Sequence, residues 1–242
     1  GLIQFLWNKL KLVLMKIHHT FFVLFVLSIL SVQPIIAQEK INQFDAKGKR
    51  TGVWEKYYNN NRIRYQGQFE VGKEVGIFKY YSALSSDHPT AIKTFSKNRE
   101  TATIQFFSEK GILESEGEMN GKNRVGKWVY FHPDGTSILS EENYRKGILN
   151  GESKTFYLTG KLTEFSHYKN GKLHGNLKRY ADNGVLLDDL NYNNGKLHGA
   201  AKYYNIEGKL IYWGDYENDE KDGKWEYFEN GKSANFDKEK KE

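Results

Sequence analysis

Apolar and polar positions along this chain recur in register with a glycine. Aligned on that glycine, successive units open at Gly52, Gly76, Ala102, Gly126, Gly151, Gly175, Gly199 and Gly223, at intervals of 24, 26, 24, 25, 24, 24 and 24 residues. Five residues after each opening stands an aromatic: Tyr57, Tyr81, Phe107, Phe131, Phe156, Tyr180, Tyr204 and Phe228. Two residues after it stands Trp54, Phe78, Ile104, Trp128, Leu177, Ala201 or Trp225, with Ser153 as the polar exception. The position between is mostly charged or amide, as at Glu55, Lys79, Gln105, Lys154, Lys178, Lys202 and Glu226. Self-similarity at a fixed period marks a repeat architecture.

Each unit divides into two strands. A glycine-bearing turn such as His132-Pro133-Asp134-Gly135 or Ala181-Asp182-Asn183-Gly184 follows the aromatic, and a late glycine there supplies the positive φ that closes a type I turn into a hairpin. The second strand runs to Phe69, Phe95, Met119, Tyr144, Tyr168, Tyr192 or Tyr216, and a tight turn of the Asn170-Gly171-Lys172 kind leads to the next unit. Strict alternation puts the second and fifth sites on opposite faces, so a bulge or bend in each strand is expected to reconcile them. Ser82 to Ile92 carries extra residues and Pro89 and is expected to protrude as a loop. The expected fold is all-β: an elongated antiparallel β-sheet solenoid of about eight β-hairpin repeats, sixteen strands spaced about 4.8 Å apart, with stacked neighbours supplying the burial one hairpin lacks.

Composition narrows the picture. The absence of cysteine removes disulfides, thiolate metal sites and cysteine nucleophiles. The formal charge of +6 owes half to Lys9, Lys11 and Lys16, leaving 33 basic against 30 acidic residues from Gln38 onward. Nucleic acid is not implied by so even a balance. Residues 1–37 read as a signal peptide: Lys16-Ile17-His18-His19, the apolar run Phe21 to Leu30, and Ala37 before the cut. Residues 1–14 fit an upstream extension, with Met15 as the natural start. Residues 38–44 then form a lead-in strand, 45–236 the array, and 237–242 a charged disordered tail. The expected location is outside the cytoplasm (periplasm, outer membrane or extracellular), with an uncleaved membrane anchor as the alternative.

Gly126-Lys127-Trp128-Val129-Tyr130-Phe131 and Asn170-Gly171-Lys172-Leu173-His174-Gly175 resemble the MORN repeat, in its bacterial variant with antitoxin-like or membrane-binding arrays. The resemblance runs from about Phe44 to Phe236. It implies an elongated β-sheet array used for interaction or membrane association and usually without catalysis.

Candidate chemistry is sparse. His174 and His198 lie one repeat apart, about 9.6 Å across two strands, too far to share one zinc ion. Glu141-Glu142 and Asp188-Asp189 point to opposite faces of their strands, unlike a hydrolytic carboxylate pair. Gly121 to Lys127 spells most of a phosphate loop, but Trp128 stands where Ser or Thr must hold magnesium. No catalytic residue, metal site or cofactor is expected. The binding candidates are cations beside aromatics, Lys178, Arg179 and Lys202, and the second ring of adjacent aromatic pairs, Tyr58, Tyr80, Tyr130, Tyr203 and Tyr227, which should face away from the ring beside it. The expected function is a non-enzymatic exported scaffold binding an unknown protein, with a membrane surface, a glycan or a cytoplasmic antitoxin role as alternatives.

Overall fold

A computed structural model describes residues 40–96, 100–229 and 231–234; the leader and the charged tail lie outside them. The described residues form eighteen strands: β1 (Gln43–Phe44), β2 (Arg50–Tyr57), β3 (Ile63–Glu70), β4 (Lys73–Tyr80), β5 (Ala91–Phe95), β6 (Thr101–Phe107), β7 (Leu113–Asn120), β8 (Asn123–Phe131) and β9 (Ile138–Arg145). The second half holds β10 (Ile148–Phe156), β11 (Leu162–Lys169), β12 (Lys172–Tyr180), β13 (Leu186–Asn193), β14 (Lys196–Leu197), β15 (Gly199–Tyr204), β16 (Leu210–Glu217), β17 (Glu220–Glu229) and β18 (Lys232–Ser233). Each strand pairs antiparallel with its sequence neighbour, and β14 and β15, parted at His198, both pair with β13. The sixteen expected array strands and the expected lead-in strand, here the two-residue β1, become eighteen through this one interruption. The result is a single-layer open meander, and among the described residues no helix and no second layer is present.

Both turn types follow from local chemistry. Apart from the longer connection over 81–90, turns within hairpins carry a backbone bond from the fourth residue to the first, as in Gly160 N→Tyr157 O at 2.8 Å and Gly184 N→Ala181 O at 2.8 Å, with that fourth residue, a glycine or Asn61, at positive φ. Except at Gly121-Lys122, where Gly121 alone does so, the described turns between hairpins put two residues at positive φ, such as Asn170 (51°) with Gly171 (79°) and Asn194 (51°) with Gly195 (88°). That is the type I′ geometry that Asn-Gly favours, because its twist matches the strands it joins.

The expected bulges are present, but they do not bring the second and fifth sites together. One lies before the second site: Gly126, Lys127 and Trp128 together oppose Gly117 alone, between the Glu116↔Val129 and Glu118↔Val125 pairs. Gly126 takes a positive φ of 66° there. The other lies on the partner strand at the fifth site, where Lys56↔Tyr65 is followed by Tyr57↔Ile63 and Arg64 is the extra residue. Alternation from the second site to the fifth therefore survives. The second- and fourth-site rings share one face, as Phe78 and Tyr80 do at 6.1 Å, and the fifth-site rings lie on the other.

The packed face is built by fitting large against small. A Cβ on Gly67 would meet the Phe78 ring at 2.3 Å, on Gly117 the Trp128 ring at 2.5 Å, and on Gly214 the Trp225 ring at 2.4 Å. Where the second-site residue shrinks, the residue in the glycine's place grows: Leu177 faces Ser166, and Ala201 lies across from Leu190. Trp128, Phe78, Leu177 and Ser166 are the largest fully buried side chains among the described residues. A one-layer sheet buries rings only by laying them across neighbouring backbone, and glycine opens the space.

Hydrogen bonds from one repeat to the next lace both edges. Tyr58 donates to Tyr81 O at 2.8 Å and Tyr157 to Tyr180 O at 3.0 Å along the edge of the within-hairpin turns. Gly171 N→Leu149 O and Gly195 N→Leu173 O, both 2.8 Å, do the same on the other edge. The segment expected to protrude is laid along its neighbours instead. Asn60 donates to Ala83 O at 2.9 Å, Arg62 to Leu84 O, and Ser82 to Glu109 at 2.8 Å.

Candidate functional site

The eight candidate side chains divide among three places. Tyr80, Tyr130, Tyr203, Tyr227 and Arg179 share the packed face, and in the last third of the sheet one cross-strand row runs Glu164–Arg179–Asp188–Tyr203–Tyr212–Tyr227. Lys178 and Lys202 lie on the opposite face, with Asp189 paired to both. Tyr58 sits in a turn and spends its hydroxyl on Tyr81 O. Tyr80, Tyr130, Tyr203 and Tyr227 do face away from the fifth-site rings beside them, and so lie on the packed face. They share that face because the second and fourth sites lie on one side of the strand and the fifth on the other.

Burial sets the electrostatics of these rings. Desolvation, with the nearby Glu74 carboxylate, pushes the Tyr80 phenol up to about 12. Tyr130 is raised by burial and by its 3.1 Å hydroxyl contact with Tyr144. Tyr203 is raised by burial and by its bond to Tyr216 at 3.4 Å. All three are neutral at physiological pH. Arg179 is held charged by Glu164 at 3.0 Å and also contacts Asp188 at 3.5 Å.

Three cations that sequence reasoning missed complete the packed face. Arg124 lies 4.6 Å from the Trp128 ring centre and reaches Tyr130 Oη at 2.9 Å. Arg50 lies 5.2 Å from Trp54, and Lys221 lies 4.2 Å from Trp225. A cation held over an aromatic face is attracted by the ring quadrupole. The signal was in the sequence: each of these residues stands two positions before its opening glycine, where the second site is Trp. Units with Ser153, Leu177 or Ala201 carry Leu149, Leu173 or Leu197 there instead.

The opposite face carries a second apolar ladder. Fifth-site rings pair with aliphatics in Tyr57↔Ile63, Phe107↔Leu113, Phe131↔Ile138, Phe156↔Leu162, Tyr180↔Leu186 and Tyr204↔Leu210. These side chains are half-buried or exposed, with Tyr57 at 49% and Ile138 at 37%. Shallow depressions of about 490 Å³ and about 510 Å³ open on this face, beside Gly67 and Gly117. Cross-face charges are spent locally, Lys127 on Glu141 at 2.6 Å and Lys178 on Asp189 at 3.9 Å. His198 Nδ1 lies 3.2 Å from Glu217, and among the described residues no group of three His, Asp or Glu could hold a metal ion. No helix among them is long and apolar enough to cross a membrane.

A one-layer meander of hairpins with laddered rings defines an open β-repeat array. Residues 50–70, 149–170 and 173–194 match the model of the MORN repeat variant. Each match spans one hairpin, β2–β3, β10–β11 or β12–β13. These matches support a MORN-repeat protein. Repeats of that family are non-catalytic modules that commonly mediate protein or membrane interaction. No curated protein matches the chain.

Proposed function

We propose that this chain is a non-enzymatic, exported scaffold that binds another protein in the cell envelope or at the surface. The observation that carries the reading is the aromatic–aliphatic ladder, half-exposed along one face with no second layer over it among the described residues. Aromatic-rich surfaces with a polar surround are what protein interfaces use. Among the described residues nothing converges on a reactive centre: Lys127, Lys178 and Arg179 pair with carboxylates of neighbouring strands, and Tyr130 and Tyr203 bond to Tyr144 and Tyr216. Export rests on the basic start and apolar run of residues 1–37.

The test is crosslinking in intact cells, followed by recovery of the chain and its attached proteins from envelope fractions. One specific protein, lost when Phe131 and Phe156 are replaced by Ser, is the expected result. Recovery of no specific protein would overturn the reading. Terminal sequencing of the mature chain checks export, with Gln38 as the expected first residue.

A further inference from the structure

We propose that the edge formed by the between-hairpin turns from Asn120 to Lys196 docks an extended acidic polypeptide segment of the partner. The proposal rests on the scaffold reading and names the chemistry its partner presents. Four successive turns bring Lys122, Arg145, Lys146, Lys169, Lys172 and Lys196 to this edge, all exposed. Among the described residues none of the six makes an ion pair. No Asp or Glu stands in these turns or within residues 119–124, 144–150, 168–174 and 192–198. The next turn reverses sign at once, with Glu217, Asp219, Glu220 and Asp222. The whole chain is nearly balanced from Gln38 onward, so this basic stretch is a local feature of one edge.

One turn shows that the charge is kept at a cost. Lys169 and Lys172 are direct cross-strand partners closing the Asn170-Gly171 turn, and like charges placed opposite one another destabilise a sheet. The equivalent turn earlier in the chain holds the attractive pair Glu70↔Lys73. The Lys172 stem runs beside Gly195 of the next turn, its carbons about 4 Å from where a Cβ on that glycine would stand, and the side chain is exposed.

Geometry selects the occupant. Successive turns lie two strands apart, about 9.6 Å, and three residues of an extended peptide cover about 10 Å. An acidic side chain at every third position therefore meets one turn each. Twist of about 20–25° per strand accumulates to about 120–150° over the six strands between the first and last of these turns. A flat lipid surface cannot face all four turns at once, whereas a flexible segment can follow them.

The probe is a labelled peptide of about twelve residues with Glu at every third position, titrated against the full chain by fluorescence anisotropy. It should bind, and raising salt from about 50 mM to about 500 mM should weaken it tenfold or more, since the contacts are exposed and screened. Lys172→Glu should lower affinity tenfold or more while the thermal midpoint holds or rises, because the like-charge pair is relieved. Lys110→Glu, in a within-hairpin turn, should change neither. Equal binding of a Gln-substituted peptide, unchanged affinity of Lys172→Glu, or binding of phosphatidylserine vesicles without peptide binding would each overturn the proposal. In cells, a partner crosslinked equally by the parent and Lys172→Glu chains would overturn this edge and leave the scaffold reading standing. Recovery of no partner with either chain would remove the scaffold reading itself.

Discussion

Replacing Gly117 with Ser forces the packed face to choose between two costs. A Cβ there would stand 2.5 Å from Trp128 Cδ2 and 2.6 Å from Cε2, about 1 Å inside ordinary contact. If the ring stays, strain of about 1–3 kcal/mol follows, as for other overpacked cores. If it moves, it breaks the Trp128 Nε1→Glu118 O bond of 3.0 Å and leaves Arg124, 4.6 Å from its centre. The bond contributes about 1 kcal/mol and the cation contact about 0.5–1 kcal/mol. Either route costs about 2 kcal/mol. Trp128→Leu alone should cost about 2–4 kcal/mol through lost burial. The chain already contains the compensated pair, Leu177 against Ser166. The double variant should therefore cost at least about 1 kcal/mol less than the two singles added together. Repeat arrays unfold locally, so the measurement is hydrogen exchange of the β7 and β8 amides, resolved by residue. A cost below about 0.5 kcal/mol for Gly117→Ser, or strict additivity of the pair, would refute the size-matching argument.

Gly195→Ala should cost about 1–3 kcal/mol through backbone strain alone, since φ is +88° and the added methyl meets only the Lys172 stem; thermal melts of the two chains check it, and Asn at the same position should recover part of the loss. For Tyr80, folding raises the phenol toward about 12, so its contribution to stability is full below about 10 and is lost as pH rises between the two values; Tyr80→Phe should flatten the alkaline slope of the melting temperature. The Asp134 carboxyl is held at about 2 by bonds from Ser137 and the Thr136 amide. Its contribution is therefore present above about 4 and lost as pH falls toward about 2. Asp134→Ala should speed exchange of the Thr136 and Ser137 amides at neutral pH, and the difference from the parent should shrink in acid.

Features set by contacts within a few residues were legible beforehand. The late glycine of the within-hairpin turns and the tight Asn-Gly turns each need only the φ that one residue can adopt. The division into hairpins followed from those turns. Features set across strands were not legible. Gly67, Gly117 and Gly214 each stand fifteen residues after a unit opening, but their meaning depends on the ring of the following unit. Arg50, Arg124 and Lys221 were overlooked for the same reason, because a cation is assigned to a ring only once the intervening bulge is known. The basic edge was hidden because its lysines are spread over 75 residues of sequence, from 122 to 196.

The sequence by itself determined the period, the hairpin count, the turn chemistry and the presence of bulges, because each is a matter of local backbone preference repeated eight times. Only the tertiary structure decided which face each ring occupies. One bulge more or fewer inverts every side chain beyond it, and only cross-strand register shows where each bulge falls. Register also brought the scattered lysines to one edge and left the Phe and Leu ladder open on the other face.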